Sequence, residues 1–251
     1  MTAIEQRQLP YNSKNWKAIL RLCFVTDRAA LWLLVLLVLV RGLLYLMLVP
    51  PWQGPDEPRH FEYARLIADQ RRLVTLADLS PTLQASIIQS MVDYDFWRYG
   101  YAYSPYNINN PPRLLEDVWP GDFAHQVHQP ALYYIGAALV ARVMPGDDVV
   151  SDLYAMRFYS LLLGMLAVIV ASWFTATLFP QDRYLRLGIP AFVALLPMHT
   201  FISAVLSNDI LAEIVVTLLL WQTTLLIRQG FSNWRALSVL FCAALSIFTK
   251  L

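Results

Sequence analysis

Asp56 and Glu57 stand side by side in PPWQGPDEPRHFEYA, and Asp209 precedes Glu213 by four residues in LSNDILAEIVV. Both acidic sites border long apolar runs, where an ionisable group is costly and is a functional candidate by default. Carboxylates so placed can act as a general base or hold Mg²⁺ or Mn²⁺; Asp56 and Asp209 are the candidate metal ligands. Arg41, Arg157 and Lys250 lie in apolar runs on the same side, and a guanidinium or ammonium there can take phosphate. His60, His125, His128 and His199 fall on that side too. Acids, cations and imidazoles gathered at one membrane face point to a phosphorylated, lipid-borne substrate. Each residue also has a plainer use. Asp56 suits the N-cap of a following helix with Pro58 in its first turn, Asn208 or Asp209 suits another cap, and His128 in HQPALYY suits a structural loop. A salt-bridged surface would account for the charges as well. There is no P-loop, dinucleotide fingerprint, zinc signature or nucleophile elbow. The basic residues do not cluster on a soluble face, so nucleic acid is not an expected partner.

The elements that must position these groups are membrane helices. The chain of 251 residues is 57% hydrophobic and 15% charged, with mean hydropathy +0.46, a composition that fits an all-α integral membrane protein. The run at 29–49 has 21 residues, enough for a bilayer core, and follows a basic tail, 1–28, placed in the cytoplasm. Residues 14–24 of that tail read as an amphipathic helix on the membrane surface. Further spans are expected at 155–178, 187–206, 210–227 and 236–251, the last reading as a truncated span of a longer chain. The run at 131–143 is short. If it crossed, Arg183 and Arg186 would fall outside, against the positive-inside rule, so it is placed as an interfacial or re-entrant helix on the outer face. Residues 50–154 then form one large extracytoplasmic loop with interfacial helices. One begins near Glu57 with Phe61, Ala64, Ile67 and Ala68 on a face; the other has Ser80 as N-cap, Pro81 at N1, and Leu83, Ile87 and Met91 on one side. An aromatic loop follows at 93–112. Inside lie nine basic residues against three acidic ones, which sets the orientation: a multi-pass plasma-membrane protein with a cytoplasmic N-terminus. Cys23 and Cys242 have neither metal nor disulfide-framework spacing.

In order along the chain, PPWQGPDEPRHFEYA, HQPALYYIGAALVARV, MRFYSLLLGMLAVIVASWFTATLFP and LLPMHTFISAVLSNDILAEIVVTLLLW resemble the N-terminal half of GT-C glycosyltransferases. The nearest in kind are the bacterial predicted membrane glycosyltransferases related to protein O-mannosyltransferases and lipid A aminoarabinose transferases. The similarity runs over about residues 30–251, and the Asp-Glu pair is its most specific element. The resemblance implies a GT-C-like helical bundle, a polyprenyl-phosphate sugar donor and an extracytoplasmic active site. Asp56 matches the first-loop acid that acts as base or metal contact, and Asp209 matches the second acidic position. The stretch from His128 to Leu132 stands where relatives carry His/Lys-Pro-Pro-Leu near the substrate, with Ala131 in place of the second proline. Lys250 lies in a Thr-Lys pair that similar sequences share, for donor phosphate. Glu213 has no counterpart. Relatives continue beyond this point with further spans and often a soluble domain.

The expected activity is therefore transfer of a sugar from polyprenyl phosphate to a hydroxyl-bearing acceptor. Asp56, Glu57 and Asp209 are the catalytic candidates, and His128, Lys250, Arg41 and Arg157 the substrate-binding ones. The alternative is a non-catalytic GT-C-like scaffold that works with partner membrane subunits. A transporter is the weaker reading, because no span shows a visible break at mid-membrane.

Overall fold

The computed structural model describes residues 27–96 and 118–250. The tail helix expected at 14–24 and most of the aromatic loop lie outside the described residues. Within them the protein is an all-α membrane bundle with no strand. Its helices are α1 (Arg28–Leu48), α2 (Glu57–Gln70), α3 (Pro81–Asp93), α4 (Leu132–Val143), α5 (Val149–Leu178), α6 (Arg183–Leu195), α7 (Pro197–Ser203), α8 (Asp209–Gln229) and α9 (Asn233–Ile247).

Three helices, α1, α5 and α8, are long and apolar enough to cross a bilayer by themselves. Helix α5 is central and packs on α1, α4, α6, α7 and α8. It starts six residues before the expected 155, because Asp148 caps it through a 2.7 Å bond from the Ser151 amide. Its 30 residues reach about 45 Å, against roughly 30 Å of hydrocarbon, so its first turns stand clear of the core of the bilayer. Those turns pack on α2 and α4, where Phe61, Ile67, Tyr133, Tyr134, Leu153 and Met156 form the main hydrophobic core. Ser80 caps α3 with Pro81 in the first turn, as the sequence implies.

The segment expected to run unbroken over 187–206 is two helices, α6 and α7, bent by 61°. Pro197 has no amide hydrogen, and it holds Leu196 extended at φ −63°, ψ 118°, so the ladder of helical hydrogen bonds stops there. The opening is filled from α1: the Arg41 guanidinium donates to the Ala194 carbonyl at 2.8 Å. Helix α7 lies close on α5, where a Cβ on Gly164 would come within 2.5 Å of the Ser203 hydroxyl.

The two ends of the bundle differ in charge. At one, Arg186 donates to Asp27 at 2.6 Å with Arg183 at 3.4 Å, while Arg228 and Arg235 bind the final carbonyls of α5 and α8. At the other end Val49, Arg157, Leu206, Asp209 and Lys250 come together, and the candidate site is there.

Candidate functional site

The adjacent acids Asp56 and Glu57 have opposite fates. Glu57 and Arg157 are both 0% exposed and meet as a fork. Arg157 Nε donates to Glu57 Oε1 at 2.8 Å and Nη2 to Oε2 at 2.6 Å. Two further guanidinium hydrogens go to the carbonyls of Val49 and Pro50, at 2.8 and 2.9 Å. Glu57 in turn accepts the amides of Gly54, at 3.2 Å, and Leu206, at 3.0 Å. One ion pair thus ties the end of α1, the start of α2, the middle of α5 and the segment leading to α8. A buried carboxylate and a buried guanidinium are tolerable only when saturated in this way. The Glu57 carboxylate accepts four bonds in all and has no position left to take a proton from a substrate. Glu57 and Arg157, expected as catalytic and phosphate-binding groups, are positioning residues.

Asp56 is left facing outward. Its backbone is left-handed, φ 52°, a conformation that Asp tolerates better than most residues and that costs energy there. The expected side-chain cap is not made. The carboxylate is about half exposed and lies 3.1 Å from Arg59 Nη1, while the Asp56 carbonyl starts the helix by accepting from Arg59 and His60. One turn on, His60 is buried with Nδ1 2.8 Å from the Tyr134 hydroxyl. Burial pushes the Tyr134 phenol well above its usual range, so it keeps its proton. Burial also holds the imidazole down to about 4, against the upward pull of Asp56, Asp209 and Glu57, with Lys250 adding a downward push. His60 is therefore neutral near pH 7.

Those neighbours of His60 show how the acids converge. Asp209 opens α8 and pairs with Lys250, just past the end of α9, both about half exposed. The two chain segments are held together by Asn208 Nδ2 donating to the Thr249 carbonyl at 3.3 Å. The first amide of α4, Leu132, points to the Phe248 carbonyl at 3.4 Å. The HQPAL stretch thereby ends beside Lys250. Within it, His128 is exposed, with Nε2 3.2 Å from the Asp122 carbonyl, and Gln129 Oε1 is buried with no partner among the described residues.

The other expected residues are elsewhere or engaged. Arg41 serves the break between α6 and α7, where its guanidinium donates to the Ala194 carbonyl. Glu213, one turn into α8, faces His199 at 3.4 Å rather than joining Asp209. A divalent cation fits this donor set poorly. Asp56 and Asp209 each already hold a cationic side chain, and no three His, Cys, Asp or Glu groups gather as ligands among the described residues. No step is routed through a metal below.

Two features escaped the sequence reading. The His60–Tyr134 pair joins residues 74 apart. Glu62, also buried, accepts from Gln84 at 2.6 Å and meets His125 Nδ1 at 2.7 Å, pinning α3 and the 119–128 segment to α2. Most residues of α2 are buried, so no periodicity in the sequence singles out His60 and Glu62.

One family model matches the chain, described as "Predicted membrane protein (DUF2142)", over residues 39–251. No curated protein and no solved structure matches it.

Proposed function

The chain belongs to this family of predicted membrane proteins, and on that premise we propose that it transfers a sugar from polyprenyl phosphate to a hydroxyl-bearing acceptor. The arginine-rich end of the bundle belongs in the cytoplasm by the positive-inside rule, which puts Asp56, Asp209 and Lys250 at the extracytoplasmic border, where a lipid-anchored substrate presents its headgroup.

The observation that carries the reading is the state of Asp56. It is an ionisable carboxylate in strained backbone, half exposed and unused as a helix cap, and it shares His60 as a neighbour with the Asp209–Lys250 pair. Asp56 takes the proton of the acceptor hydroxyl. The resulting oxygen attacks the anomeric carbon, the new glycosidic bond forms, and the bond from that carbon to the phosphate oxygen breaks with its electrons going to polyprenyl phosphate. Lys250 stabilises the charge that develops on the leaving phosphate, and Asp209 aims the ammonium. Neutral His60 lies beside these groups without adding charge. A single displacement of this kind inverts the anomeric centre.

The test is transfer by the purified protein in proteoliposomes, with polyprenyl-phosphate hexoses supplied one at a time and native membrane lipids and proteins as acceptors. A labelled, inverted glycoside together with released polyprenyl phosphate supports the reading. Absence of both from the isolated protein and from its native membrane complex would favour the scaffold role instead.

A further inference from the structure

Helix α4 leaves an apolar stripe uncovered. Ile135, Leu139 and Val143, spaced by four, are 39%, 55% and 78% exposed, while Tyr134, Ala138 and Ala141 on the other face are buried. Alongside this stripe, between the C-terminal ends of α2 and α4, runs a groove of about 300 Å³. Its floor includes Ile67, Ile135 and Leu139, and its rim carries Arg71, Arg72 and Arg142. Arg72 is paired with Asp78. The guanidiniums of Arg71 and Arg142 have no partner among the described residues.

The groove sits at a defined level. Helix α2 leaves from the end of α1, where Arg157 holds Val49 and Pro50, and α4 leaves from the end of α9, where Leu132 meets Phe248. Both therefore start where hydrocarbon gives way to headgroups, and the groove lies toward their far ends. A helix that starts at that level and carries an apolar stripe with flanking arginines has the character of an interfacial element. The groove is also separate from the candidate active site, since Arg71 lies 14 residues beyond Glu57, roughly 21 Å along α2.

We propose that this groove binds an anionic phospholipid of the adjoining leaflet. Its phosphate lies between Arg71 and Arg142, and an acyl chain covers Ile67, Ile135 and Leu139. A guanidinium is suited to a phosphate because its planar fork offers two parallel donors, and the unpaired pair on the rim supplies the complementary charge. The apolar floor distinguishes the lipid from free phosphate.

Native mass spectrometry of the detergent-purified chain tests this, with added phosphatidylglycerol, phosphatidylcholine or inorganic phosphate as probes. Wild type should retain phosphatidylglycerol in preference to phosphatidylcholine, and millimolar inorganic phosphate should not displace it. The double variant Arg71→Gln/Arg142→Gln should lose that occupancy by about tenfold or more, as expected for removing charged hydrogen bonds. Arg183→Gln, at the opposite end, should keep it. Should the double variant fold poorly, Arg142→Gln alone should show a partial loss. Equal retention by the variants, equal retention of phosphatidylcholine, displacement by inorganic phosphate, or a dimer that holds α4 with no lipid bound would overturn the proposal.

Discussion

Glu57→Gln should destabilise the fold strongly, while its neighbour Asp56→Asn should leave its stability nearly unchanged. The difference follows from burial. Glu57 is 0% exposed and binds Arg157 through both oxygens while accepting two amides, whereas Asp56 meets only Arg59 at a half-exposed site. Neutralising Glu57 leaves the Arg157 charge buried without its partner, a change that costs about 3–5 kcal/mol. For a chain of this size that corresponds to a fall in Tm of about 6–20 °C. The Asp56–Arg59 pair, exposed and screened, is worth about 0–1 kcal/mol, so Asp56→Asn should move Tm by no more than a few degrees. Thermal unfolding in one detergent, followed by tryptophan fluorescence, reads both. The double variant Glu57→Gln/Arg157→Met, which removes the stranded charge, should recover part of the loss. If Glu57→Gln retained wild-type Tm and lost only turnover, the assignment of Glu57 as the buried tie between four segments would be wrong.

Lys250→Met should lower kcat by about 10²–10³, as for loss of one charge-stabilising donor, with a stability change below about 1 kcal/mol because the pair with Asp209 is half exposed; steady-state rates and thermal unfolding check the two arms. His60, held down to about 4 in the folded protein against about 6.5 when unfolded, makes stability fall as pH drops from about 6.5 to about 4, since the unfolded chain then binds the extra proton. The loss is on the order of 3 kcal/mol by pH 4, and His60→Gln should flatten that part of the Tm-against-pH curve relative to wild type. Gly164→Ala should destabilise by about 1–3 kcal/mol through the contact with Ser203, and Ser203→Gly should restore part of it in the same unfolding assay.

The helical membrane class was legible because apolar runs of about 20 residues have few other uses. Several details were not. The Asp-Glu pair stands out in the sequence, but only the left-handed turn at Asp56 decides which acid goes inward and which remains outside. Arg157 reads as a free cation in an apolar run until its partner, 100 residues earlier, is in place. Pro197 is plain in LLPMHT, yet apolar length alone made 187–206 a single span; the missing amide hydrogen was the decisive feature. The transporter reading is the weaker one for want of such a break; α6 and α7 supply one, although Arg41 donates into it. Glu62 and His125 are 63 residues apart, and no local period announces a contact of that range.

The measurement that bears most directly on the proposed chemistry is single-turnover sugar transfer by Asp56→Asn in proteoliposomes, beside its Tm. The account predicts wild-type stability, an unchanged fraction of bound polyprenyl-phosphate donor, and transfer abolished. Transfer at the wild-type rate in a fully folded Asp56→Asn protein would contradict it.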